Sequence, residues 1–210
     1  MPRQPTNLRA HVYVDGQNLF YGVKEAFGYK YPNFDIKKLA EAVCTREGWQ
    51  LAHTAFYTGV PEVSDNRFWN YFWRNKMAVM GRQGVKIYSR HLRYRLQTVR
   101  LPDGTEHSFV VGQEKGVDVR LALDIVRAVH RQECDVVVIF SQDQDLSEAA
   151  DEARLIASEQ NRTLAIASAF PSSPTAANAR GINTTHWIRI DRATYDSCLD
   201  TRDYRPVKKT

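Results

Sequence analysis

Two aspartates, Asp143 and Asp145, stand just past the apolar run Val138-Ile139-Phe140, and a third, Asp15, ends the run His11-Val12-Tyr13-Val14. A buried strand that ends in acid points to a cation. Asp118 supplies a fourth carboxylate two residues after Gly116, at the start of a helical stretch whose dipole favours the ionised form. If the four converge, their mutual repulsion raises pKa values and costs stability until a cation neutralises them. Mg2+ or Mn2+ suits such a site. These hard ions take oxygen ligands and keep several waters, one of which can be activated to attack a phosphodiester while the ion stabilises charge on the phosphate. One ion suffices in principle, and a pair ~3.5–4 Å apart helps more.

Each acid also has a plainer reading. Asp15-Gly16 is a strong turn signal between apolar stretches. Asp145-Leu146-Ser147-Glu148 fits a capping box, and Asp118 could simply complement a helix dipole. Asp124, inside the same helix, reads as a solvated or salt-bridged residue. The six histidines show no ligand spacing, and the three cysteines, Cys44, Cys134 and Cys198, form neither a CxxC pair nor a disulfide framework. They read as core fillers.

The elements that must position these acids alternate. Residues 10–15 read as a buried strand, 35–43 as an amphipathic helix capped by Asp35, and 50–57 as a strand. A helix over 66–80 is followed by a strand at 85–88, an extension to Leu101, a turn at Pro102-Asp103-Gly104 and a return through 107–111. That makes a basic hairpin or flap over about 85–112. A helix over 117–131, a strand over 136–140, a helix over 146–160 and strands at 163–168 and 187–190 complete the pattern, and the tail 202–210 reads as loosely attached. Strand-helix alternation implies a parallel sheet, and ligand sites in such sheets form beyond the carboxyl ends of the strands. Asp15, Asp143 and Asp145 all fall there.

Charge is unevenly spread. Between Asp65 and Asp103 there is no acidic residue, while nine cations fall in that interval, leaving 20 of the chain's 29 basic residues against 24 acidic ones elsewhere. Seven aromatics share the segment, and rings beside cations suit stacked bases and phosphates. Phe68 to Trp73 sit at helical spacing, which reads mainly as core. The 210 residues are expected to form one domain, with its core at about 8–195. No stretch reads as a signal peptide or membrane span, so a cytoplasmic location and no membrane partner are expected. The oligomeric state, a homo-oligomer included, stays open.

Three ordered segments, Val14-Asp15-Gly16-Gln17-Asn18-Leu19, Glu114-Lys115-Gly116-Val117-Asp118-Val119 and Ser141-Gln142-Asp143-Gln144-Asp145-Leu146, resemble the motifs of the NYN domain, a branch of the PIN-like ribonucleases. The resemblance implies an α/β fold, a Rossmann-like three-layer sandwich with a central, mainly parallel sheet. It implies a metal-dependent endoribonuclease that cuts single-stranded or structured RNA with Mg2+ or Mn2+. Asp15, Asp118 and Asp143 match the family's metal-binding acids, and Asp145 matches a fourth. Asn18 matches a residue that orients the first acid or the substrate, Ser141 a small polar support, and Lys115 a contact to phosphate. Arg90, Arg93, Arg95 and Tyr94 of the flap are expected to grip the RNA. The chain departs from the family at Gln142 and Gln144, where glycine and serine are common, so this loop is expected to take a different shape. A protein of the same fold that binds RNA with little or no turnover is the alternative. A phosphohydrolase using Asp143 and Asp145 as nucleophile and acid fits less well, because that pair normally follows the first strand.

Overall fold

The computed structural model describes residues 7–206. Its centre is a six-stranded, all-parallel sheet formed by β1 (Arg9–Asp15), β2 (Gln50–Val60), β3 (Lys86–His91), β6 (Val136–Phe140), β7 (Ala165–Pro171) and β8 (His186–Ile190), in the order β3-β2-β1-β6-β7-β8. The α/β, Rossmann-like class read from the sequence is therefore the one observed. Among the described residues, strands β4 (Arg93–Arg100) and β5 (Glu106–Gln113) pair only with each other, as an antiparallel ribbon.

Alternation along the strands divides the core between two faces. Val12, Val14, Val138 and Phe140 pack on one side with helices α1 (Gly16–Phe27), α2 (Ile36–Arg46) and α3 (Arg67–Arg82). Tyr13, Val137 and Ile139 face the other side, against α4 (Val117–His130) and α5 (Ser147–Glu159). β6 is buried along its whole length, as a strand covered on both faces must be. The three cysteines are free and buried, as core fillers should be.

Several expectations are corrected here. Helix α1, which the periodicity leaves unassigned, forms because Asp15 caps it, accepting from Asn18 N at 3.0 Å. Asp15-Gly16 is therefore no hairpin turn. A Cβ on Gly16 would sit 2.4 Å from Phe56 Cζ and 2.9 Å from Tyr57 O, so the glycine lets the helix start directly on the sheet. The expected flap is split: 86–91 join the main sheet as its edge, and only 93–113 form the free ribbon. The tail is attached as far as it is described. After α6 (Arg192–Ser197), Tyr204 is buried, packs edge-on to Phe72 at 5.9 Å and donates to Asp200 at 2.6 Å; residues 207–210 lie outside the described part.

One of the nine cations also leaves the expected basic surface. Lys76 is fully buried, donates to Phe34 O at 2.7 Å and lies 3.6 Å from Asp200. Burial pulls its amine down to about 8, against the opposing pull of Asp200. Of the aromatics on α3, Phe72 and Trp73 are core, while Tyr71 is exposed.

Candidate functional site

The chain order reverses at β1: β2 and β3 lie to one side, β6 to β8 to the other. Such a reversal leaves a crevice at the carboxyl ends of the two central strands. Val14 is level with Phe140, so the next residues, Asp15 and Ser141, meet across it. Ser141 donates from Oγ to Asp15 Oδ2 at 3.3 Å and accepts from Asp143 N at 3.1 Å. Asn18 fastens the same loop from α1, its Oδ1 accepting from Gln142 N at 2.9 Å. Two strand ends and one helix start thus hold Asp15 and Asp143 in a fixed relation.

A pocket of about 370 Å3 opens over this floor, lined by Asp15, Asn18, Glu114, Lys115, Asp118 and Asp143 among others. Asp118 lies in the first turn of α4 with its side chain exposed, and Lys115 stands exposed at the rim. Asp145 is exposed and is not among the pocket's lining residues. The capping box read at Asp145 does not form. Asp143 is the cap instead, its Oδ1 accepting from Asp145 N at 3.1 Å at the start of a single 3-10 turn, Gln144–Leu146. Asp124 is the salt-bridged residue expected, 3.0 Å from Arg120 and bonded by the Tyr57 hydroxyl at 2.9 Å.

Electrostatics single out two carboxyls. Burial pushes Asp15 up to about 6, helped by the charge of Asp143 and opposed by the bonds from Asn18 N and Ser141. Burial pushes Glu114 up to about 7, with the charges of Asp15 and Asp118 adding to it and the bond from Gly59 N opposing it. Glu114 has no assigned role in the sequence reading. It reaches the pocket because its Oε2 accepts from Gly59 N on β2, and a Cβ on Gly59 would lie 2.6 Å from that oxygen. The only signal in the sequence is its place beside Lys115 in the second motif.

The glutamines of the third motif turn out to be fasteners. Gln142 is not among the residues with positive φ, so glutamine costs no backbone strain there. Its Nε2 donates to Asn178 O at 3.1 Å and Arg180 O at 2.8 Å. Gln144 donates to Gly181 O and accepts from Asn183 N, at 3.1 and 3.0 Å. Both tie the acidic loop to the segment before β8.

The chain matches the NYN domain family model over residues 9–179. It belongs to the NYN domain family. NYN domains are a PIN-like nuclease family, so the match carries a nuclease-like, hydrolytic class with it. No curated protein matches the chain. Among solved structures, a ribokinase from Giardia lamblia aligns over 82% of this chain and 52% of its own, at 11% identity and a TM-score of 0.36. The chain thus spans about half the length of that structure.

The flap residues named from the sequence fall at different depths in this NYN domain. Arg93 and Arg95 are exposed on β4, on the same ribbon face as Gln113 and Val111, their cross-strand partners. Arg90 belongs to the edge strand, its guanidinium 5.7 Å over the Tyr88 ring and close against Gly116. Tyr94 is half-buried at the ribbon's root, where its hydroxyl accepts from Glu62 N at 2.9 Å and donates to Asp65 at 3.1 Å. No helix among the described residues is long and apolar enough to cross a membrane.

The donor set suits a hard divalent cation in chemistry, being all carboxylate, with two of the acids held above their ordinary range. Among the described residues no three acidic, histidine or cysteine side chains gather closely enough to hold one ion. Mg2+ commonly keeps several waters and takes one or two carboxylates, so the donors fit a largely hydrated ion.

Proposed function

We propose that this chain is a divalent-metal-dependent endoribonuclease acting on unpaired stretches of RNA. The observation that carries the reading is a single pocket, at the carboxyl edge of the sheet, lined by Asp15, Glu114, Asp118 and Asp143. One or two of Asp15, Asp118 and Asp143 would bind Mg2+ or Mn2+ directly, and the others would act through the waters that the ion keeps. When bound, such an ion lowers the pKa of a water and offsets charge on the phosphate.

The chain's own residues do the rest. Ser141 and Asn18 fix Asp15 and the Asp143 loop, so the carboxylates need little reorganisation when substrate arrives. In the metal-free chain burial holds Glu114 up to about 7, so this carboxyl can carry a proton at neutral pH until the cation binds. Lys115 at the rim offers a cation to a phosphate. The arginines of the ribbon supply attraction along the strand without reading sequence.

Purified chain with Mn2+ should cut a labelled single-stranded RNA, and Asp15→Asn and Asp143→Asn should lose that activity. Equal cutting by both variants means the activity belongs to a contaminant. A second reading, RNA binding without useful turnover, is favoured by the lack of a three-ligand cluster among the described residues. It calls for tight, salt-sensitive binding with no cleavage in any divalent metal.

A further inference from the structure

Beside the acidic pocket lies a second cleft of about 380 Å3, and the two share Gln17 and Tyr21 of α1. Helix geometry makes the link: Gln17, Tyr21 and Lys24 follow at i, i+4 and i+7 and line one face. The wall of the cleft is aromatic. Phe20 stands 5.7 Å from Tyr21 and 6.1 Å from Trp69, and Trp69 is braced edge-on by Phe68 and Phe72 at 5.4 and 5.3 Å. Core packing accounts for Phe72 and Trp73, but Tyr21 is 59% exposed at the saddle between the two pockets. Two exposed lysines, Lys24 and Lys30, stand among the cleft's lining residues.

An aromatic wall flanked by cations and continuous with a carboxylate pocket calls for a ligand with a flat apolar face and anionic links. A nucleotide has both. A base inside a duplex cannot offer its face to a side chain, whereas an unpaired base can. We propose that this cleft seats an unpaired nucleobase of RNA next to the phosphate that enters the acidic pocket. The base stacks on Tyr21 in front of Phe20 and Trp69, and Lys24 and Lys30 meet the flanking phosphates. The substrate strand then crosses α1 between the two pockets, and selection for unpaired RNA resides in the cleft. The assignment rests on the nuclease reading for what happens to that phosphate, but not for the binding.

The test is affinity in EDTA, read by fluorescence anisotropy with a 5′-labelled single-stranded hexaribonucleotide and with a blunt RNA duplex of the same length. Tyr21→Ala, at an exposed helical position, should weaken hexamer binding by about 5-fold or more, the loss expected for one stacked base. The double variant Lys24→Ala/Lys30→Ala should lower the slope of log affinity against log salt by about 1.4. Duplex affinity should not respond to Tyr21→Ala. Trp69→Phe, which keeps a ring in the wall, should weaken the hexamer less than Tyr21→Ala does. Wild-type hexamer affinity in Tyr21→Ala, an equal loss for duplex, or no hexamer binding by the unaltered chain overturns the proposal. Because affinity is read without metal, the outcome does not depend on whether the chain cuts RNA.

Discussion

The floor of the acidic pocket and the β4–β5 ribbon sit side by side and are built on opposite principles. On the floor, Asp15, Asn18, Ser141, Gln142, Asp143 and Gln144 are linked through one hydrogen-bond network anchored to β1, β6 and α1, which Gln144 joins by donating to Gln142 O. On the ribbon, Leu96 and Val110 face each other at 69% and 63% exposure, and Val99 and Phe109 are also exposed. A two-stranded hairpin is marginal by itself in water. This one is tied at its root, by Tyr94 to the Glu62 and Asp65 backbone and side chain and by Glu114 to Gly59. The difference teaches where precision is needed: carboxylates must be held to fractions of an ångström, whereas cations that attract a polyanion need only be near it. Glu114 belongs to both regions, since it lines the pocket and fastens the ribbon.

The largest effect should come from the acidic pocket. Asp118→Asn should lower Mn2+-dependent cleavage by at least about 100-fold, with melting temperature nearly unchanged because the side chain is exposed. Residual cleavage within tenfold of the parent would move the chemistry away from this pocket. On the ribbon the expectation reverses. Replacing 93–113 with a short Gly/Ser linker should weaken RNA binding by about 10-fold at low salt, and Arg93→Ala/Arg95→Ala should reduce the salt slope by about 1.4. If the linker variant melts far below the parent, the two regions are less separate than their contacts imply.

Smaller effects follow from the raised acids. Asp15 and Glu114 sit at about 6 and 7, above their ordinary 3.8 and 4.5. Between those limits the folded chain binds more protons than the unfolded one, so metal-free stability should fall as pH rises from about 4 to about 7. The loss should be on the order of 1 kcal/mol per group after solvent screening. Mn2+ should therefore raise the melting temperature more at pH 8 than at pH 5, and Asp15→Asn, which keeps the helix cap, should stabilise the metal-free chain at pH 8. A metal-induced shift that is flat with pH would count against Asp15 as a ligand and against an ion close to Glu114. The smallest change is Gln142→Gly/Gln144→Ser, which removes the ties to 178–183. It should cost about 1 kcal/mol in a denaturant melt and alter cleavage by less than about 3-fold.

Much of this was legible in the chain. Asp15, Asp118 and Asp143 declare themselves because each follows a change of local pattern: apolar strand to acid, or glycine to helix. Asp35 as a cap and Asp124 as an ion pair were readable for the same local reason. Helix α1 was hidden because Gly16 and Gly22 weaken its propensity and its capping acid doubles as a site residue. Lys76 counted as surface charge until packing against Phe34 and Tyr204 enclosed it.

By itself, then, the sequence determined which acids stand at the ends of strands and the start of a helix, their order along the chain, the parallel α/β class and the concentration of positive charge between Asp65 and Asp103. Those depend on neighbours along the chain, through strand and helix periodicity and capping. Only the tertiary structure decided that Glu114 lines the acidic pocket, that Asp145 is absent from its lining, and that Tyr21 links it to an aromatic cleft. It also decided that Gln142 and Gln144 are fasteners rather than distortions. Burial and long-range contact fix each of these: Gly59 lies 55 residues from Glu114 and Arg180 lies 38 from Gln142, and no local pattern reports on partners so far away.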